Sequence, residues 1–104
     1  MAQFDVFENP NEETNQAIPY LLDVQSDLLD ALSTRVVVTL LAASIVGKAI
    51  KHLNPEFLIR DTAVFMSTAE LAGVPVRSMG KKVSSLKDQR HEIIAALDFL
   101  FTGF

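Results

Sequence analysis

Three β-branched residues in a row, Val36-Val37-Val38, lie inside the run Arg35-Val36-Val37-Val38-Thr39-Leu40 and constrain the fold more than any other segment. Branching at Cβ restricts χ1 in a helix, whereas a pleated sheet accommodates it, so the run is predicted to be a strand. Weaker signals of the same kind surround it. Gln3-Phe4-Asp5-Val6-Phe7-Glu8 alternates apolar and polar residues ahead of Asn9-Pro10-Asn11, the pattern of a short strand entering a turn. Residues 12–16 are polar enough for a loop, and Ile18-Pro19-Tyr20-Leu21-Leu22-Asp23-Val24 is a second strand, with Pro19 at its start or on an edge. Phe57-Leu58-Ile59 and Val64-Phe65-Met66 flank Arg60-Asp61-Thr62-Ala63 in the outline of a hairpin, and Gly73 and Gly80 punctuate the chain around Val74-Pro75-Val76. Two segments stay open: residues 27–32 suit a helical turn or a connection between strands, and residues 41–50 are helix-friendly but weakened by Gly47.

The end of the chain has a different period. Ser85 with Asp88 three residues on resembles a capping box, and a helix is expected from there to about residue 101. At about 100° per residue, Ile93, Ile94, Leu97, Leu100, Phe101 and Phe104 gather into one stripe that docks on the core. His91, Ala95, Asp98, Phe99 and Thr102 fall on the other side. Gly103 suits the position just after a helix, where a left-handed backbone is needed. The aromatic ending Phe101-Thr102-Gly103-Phe104 also suits a docking tip for another protein. Mainly β with one C-terminal α-helix is the expected fold class.

With 104 residues, the chain is expected to form a single domain over 1–104. An apolar share of 49 % against 21 % charged residues is that of a globular domain. The absence of Cys excludes disulfides and thiolate metal sites and suits a reducing compartment. The amino terminus has no basic, apolar signal-peptide pattern, and the apolar stretch over residues 36–46 falls short of the roughly 20 residues of a membrane span. A cytoplasmic protein, away from any membrane, is therefore expected. Acidic residues crowd residues 1–34, all nine basic residues lie between Arg35 and Arg90, and the net charge of −4 argues against direct nucleic-acid binding.

Catalytic signatures are missing: there is no phosphate-binding glycine loop, nucleophile elbow or paired-histidine metal motif. No cofactor and no metal are expected. His52 and His91 suit structural roles more readily than catalytic ones. Asp23, Asp27 and Asp30 have the oxygens to ligate a divalent cation but match no known loop, so turn or cap roles are expected. Arg35 suits a structural ion pair or a dimer contact.

Several segments together resemble one family, the CcdB toxins of toxin–antitoxin modules. They are Gln3-Phe4-Asp5-Val6-Phe7, Asp23-Val24-Gln25-Ser26-Asp27-Leu28-Leu29-Asp30, Arg35-Val36-Val37-Val38-Thr39-Leu40, Leu53-Asn54-Pro55, Val74-Pro75-Val76 and Leu100-Phe101-Thr102-Gly103-Phe104. They occur in the family's order across nearly the whole chain, and the Asp-Val-Gln-Ser-Asp run is the most specific. The resemblance implies an SH3-like barrel of the CcdB/Kid toxin type with a small additional sheet and a C-terminal helix, assembled as a homodimer. It also implies that residues 27–32 join two strands.

The same resemblance implies a non-catalytic topoisomerase poison. Such a toxin binds the A subunit of DNA gyrase and traps the gyrase–DNA cleavage complex. A CcdA-like antitoxin neutralises it, and the pair represses its own operon, with operator DNA contacted through the antitoxin. Carried over position by position, the gyrase-binding residues are Leu28, Leu29, Asp98, Phe101, Thr102, Gly103 and Phe104. The chain departs from the family pattern at four places. Thr102 replaces Trp, Phe104 replaces Ile, Asp98 replaces Asn and Thr39 replaces Pro. Two other classes remain as alternatives: a ribosome-independent endoribonuclease on a related barrel, with Arg35, His52 and His91 as its acid–base candidates, and an inactive homologue that binds only antitoxin.

Overall fold

The β-branched run lies within a nine-residue strand at the core. A computed structural model describes residues 2–45, 49–50 and 53–103. Six strands, β1 (Asp5–Glu8), β2 (Tyr20–Asp23), β3 (Thr34–Ala42), β4 (Glu56–Ile59), β5 (Thr62–Pro75) and β6 (Lys82–Ser85), pair antiparallel in the order β4-β5-β3-β2-β1-β6. The sheet curves into a near-barrel, and helix α1 (Arg90–Thr102) packs against β5. Val6, Leu22, Val38, Leu40, Ile59, Val64 and Met66 meet Ile93 and Ala96 of α1 in one core.

The small additional sheet that the resemblance implied is not separate: among the described residues all six strands pair into one sheet. β5 is 14 residues long; its first part pairs with β4 and β3, and its last part continues along β3 through Gly73, which lies inside the strand. A bulge makes this possible. Val38 pairs with Leu71 but Thr39 pairs with Ser67, so Thr68, Ala69 and Glu70 loop out of register. The Thr68 hydroxyl donates to the Leu53 carbonyl, and the Ser67 hydroxyl donates to Glu70 Oε1 at 2.5 Å.

Three further boundaries differ from the sequence reading. β1 begins at Asp5, because Phe4 has φ 71°, a left-handed turn that sends its ring into the core beneath the Arg90 guanidinium, 5.8 Å from the ring centroid. The hairpin loop shrinks to Arg60 and Asp61, with φ 50° and 65°, as a two-residue turn matched to strand twist requires. In residues 41–50, β3 persists to Ala42 and a turn follows to residue 45, while Val46, Gly47 and Lys48 lie outside the described residues. The expected capping box does not close. Ser85 Oγ accepts from the Lys87 N–H at 3.3 Å, and a 3-10 turn, Lys87–Gln89, separates it from α1.

Gly80 does more than punctuate. A Cβ there would lie 2.3 Å from the Glu8 carbonyl oxygen, at the point where β1 and β6 come together. Gly80→Ala is expected to destabilise the fold by about 1–3 kcal/mol through this clash, read as a lower urea midpoint with an unchanged m-value.

Candidate binding surface

The run from Asp23 to Asp30 folds as a buried polar knot beneath an apolar turn. Arg35 is only 1 % exposed; its Nε donates to Asp23 Oδ2 at 2.9 Å, and Nη2 lies 2.7 Å from the same oxygen. Nη2 also donates to the Gln25 carbonyl at 3.3 Å. Gln25 ties the two sides of the knot together. Its Nε2 donates to the carbonyls of Leu29 and Thr34, and its Oε1 accepts from the Val36 N–H at 3.0 Å. Burial pushes the Asp23 carboxyl above its ordinary range; hydrogen bonds from Arg35 and the Gln25 amide, with the Arg35 charge, pull it back, and the Asp5 charge raises it.

On this base sits a 3-10 turn, Asp27–Leu29. Ser26 Oγ accepts from the Leu28 N–H at 3.2 Å, and Asp27 Oδ1 accepts from the Gln3 N–H at 2.7 Å. The backbone is therefore held from both ends while the side chains point outward: Leu28 is 93 % exposed, and Leu29 is half exposed. Both readings of residues 27–32 are satisfied at once, because a helical turn makes the connection between β2 and β3. Asp23 and Asp27 anchor the knot, and no group of three or more His, Cys, Asp or Glu among the described residues could hold a metal ion.

Helix α1 supplies a second apolar ledge. Its core contact is narrower than the sequence stripe, with Ile93 and Ala96 buried and Ile94, Leu97 and Leu100 half-buried. Phe101, expected in the core stripe, is 70 % exposed in the last turn of the helix. Phe99, expected away from the core, is half-buried. Asp98 and Thr102 are one turn apart on the helix, and the Thr102 hydroxyl donates to the Asp98 carbonyl at 2.7 Å. Gly103 takes φ 80° and donates its N–H to the Phe99 carbonyl, so it is the helix stop. Phe104 lies outside the described residues.

The acid–base candidates among the described residues, Arg35 and His91, differ in setting. Arg35 is buried against Asp23, His91 is exposed in the first turn of α1, and His52 lies outside the described residues. A guanidinium locked in a buried ion pair is withdrawn from any substrate.

The profile of the CcdB protein family matches residues 3–103. The chain belongs to the CcdB family. Members are toxins of toxin–antitoxin modules, and the near-barrel with a terminal helix is the architecture the resemblance implied. Within this CcdB-family chain, the turn and the helix end are positioned by separate sets of contacts, the first by the Asp23–Gln25–Arg35 knot and the second by packing on β5. Sequence reasoning missed Leu32 and Leu58, both at least half exposed. Leu58 alternates with buried Phe57 and Ile59 on β4, but all three are apolar, so the sequence carries no signal for which of them faces outward. No helix among the described residues is long and apolar enough to cross a membrane.

Proposed function

We propose that this chain is the toxin of a type II toxin–antitoxin module that binds the A subunit of DNA gyrase and traps the enzyme on cleaved DNA. It acts in the cytoplasm as a homodimer, over the whole chain as one domain, without catalysis of its own. A CcdA-like antitoxin neutralises it, and operator DNA is reached through that antitoxin. The observation that carries this reading is the pair of exposed apolar ledges, Leu28-Leu29 and Phe101, on a chain of the CcdB family. Asp98, Thr102 and Gly103 extend the second ledge, and the resemblance assigns Phe104 to the same interface.

Such a surface suits wedging. Fully burying a Leu or Phe side chain is worth about 1.5–3 kcal/mol, and little of that is lost if the backbone is ordered beforehand. The Gln25 and Ser26 hydrogen bonds hold the Asp27–Leu29 turn in this way. Poisoning is then a matter of binding energy placed where the gyrase subunits must move, with no bond made or broken by the toxin.

The test is gyrase-mediated cleavage of plasmid DNA. Wild-type protein is expected to accumulate cleaved DNA, and Phe101→Ala or Leu28→Asp to weaken trapping about 30-fold or more. Since both side chains are largely exposed, the thermal midpoint of each variant should stay within about 4 °C of wild type. Absence of both trapping and binding to the gyrase A fragment would remove gyrase as the target.

A further inference from the structure

A groove of about 410 Å³ opens between β4 and the start of α1, lined by Glu56, Phe57, Leu58, Gln89 and Glu92. Three independent features converge on it. β4 is the last strand of the sheet on its side. Its pairing register and the Met66 N–H to Pro55 carbonyl bond (2.9 Å) place the inward-bonding positions at residues 55, 57 and 59. By the alternation of antiparallel ladders, the backbone N–H and C=O groups of Glu56 and Leu58 then face away from β5, along the groove. Leu58 is 69 % exposed, an apolar side chain with no cover on an unpaired edge. Finally, the two carboxylates of the lining, Glu56 and Glu92, have no cation in the lining and no ion pair among the described residues.

We propose that this groove receives an extended segment of a partner protein that adds a strand alongside β4 and carries Arg or Lys at alternate positions. The exposed edge supplies the main-chain hydrogen bonds, Leu58 an apolar contact, and the two carboxylates the selectivity for cationic side chains. Charge decides between this occupant and a second copy of the same edge, which would bring another Glu56 towards the first. The proposal goes beyond the gyrase reading and does not depend on it, since it uses neither the Asp27–Leu29 turn nor the helix end.

The experiment titrates the isotopically labelled full chain with a blocked peptide of alternating Arg and Val, and separately with its Glu-Val counterpart, followed by amide chemical shifts. The Arg peptide is expected to shift the Glu56 and Leu58 amides, with affinity falling as salt is raised. The double variant Glu56→Gln/Glu92→Gln, at two exposed positions, should bind it about fivefold more weakly. N-methylation of the peptide amides that face β4 should abolish binding. The proposal is overturned if about 1 mM Arg peptide causes no shifts, or if the Glu peptide or the double variant binds equally well. Shifts centred on the acidic loop around Glu12 and Glu13 would also overturn it. So would self-association of the free chain that Glu56→Gln removes, because the occupant would then be a second copy.

Discussion

Arg35→Met is expected to lower stability by about 3–5 kcal/mol, the largest effect of any single substitution considered, with a thermal midpoint reduced by more than about 15 °C. The variant leaves Asp23, which is fully buried, without its counter-ion and strips a donor from the Gln25 carbonyl. The loss should also depend on pH in a defined sense. The folded-state pKa of Asp23 already lies above its ordinary 3.8, so the folded state holds a proton that the unfolded state has released, and stability declines as pH rises through that interval. Without Arg35 the interval widens upward, so the gap between variant and wild type should grow from acid to neutral pH. Asp23→Leu combined with Arg35→Met should recover more than half of the loss, because removing both charges removes the uncompensated one. Urea unfolding of wild type and the two variants at pH 4 and pH 7 checks all of this. A gap that shrinks towards neutral pH would show that the pair is not the source of the effect.

Thr102→Trp is the second, and it should gain function. If the helix end lies in the gyrase interface, restoring the family's aromatic at that position should tighten binding by about 2 kcal/mol, roughly 30-fold. The site can accept the larger side chain without disturbing the core, since Thr102 is exposed and, among the described residues, its hydroxyl is bonded only to the Asp98 carbonyl one turn back. Titration of the gyrase A fragment with wild type and variant measures the gain, and circular dichroism checks that the helix is intact. Unchanged affinity would take position 102 out of the interface and leave the binding energy to Leu28, Phe101 and the other assigned positions.

Most strands were legible because their signals are local. Val36-Val37-Val38 declared β3 through χ1 restriction, and the apolar runs Phe57-Leu58-Ile59 and Val64-Phe65-Met66 on either side of a short turn declared the β4–β5 hairpin. Less legible was β5, where Gly73 and Pro75 suggested a break in what is one 14-residue strand. Its continuity depends on β3 lying alongside and on a bulge that absorbs Thr68, Ala69 and Glu70, and neither is encoded by the neighbours of Gly73. The candidate site divides in the same way. The Asp-Val-Gln-Ser-Asp run announced a special segment, but not that its polar atoms face inward to hold two leucines outward.

By itself, then, the sequence determined the class of fold, the terminal helix, the glycine that ends it and the family to which the chain belongs. The first three follow from side-chain branching, periodicity and backbone freedom, which act over a few residues; the family follows from the ordered matching segments and the profile match over residues 3–103. Tertiary structure alone decided that Arg35 is a buried partner of Asp23, that Phe101 turns to solvent while Phe99 is half covered, and that β4 leaves an acidic groove beside α1. Burial and charge pairing depend on what stands opposite each side chain. In this chain those partners are brought together by strand register and by the arc of α1 that the sheet can cover.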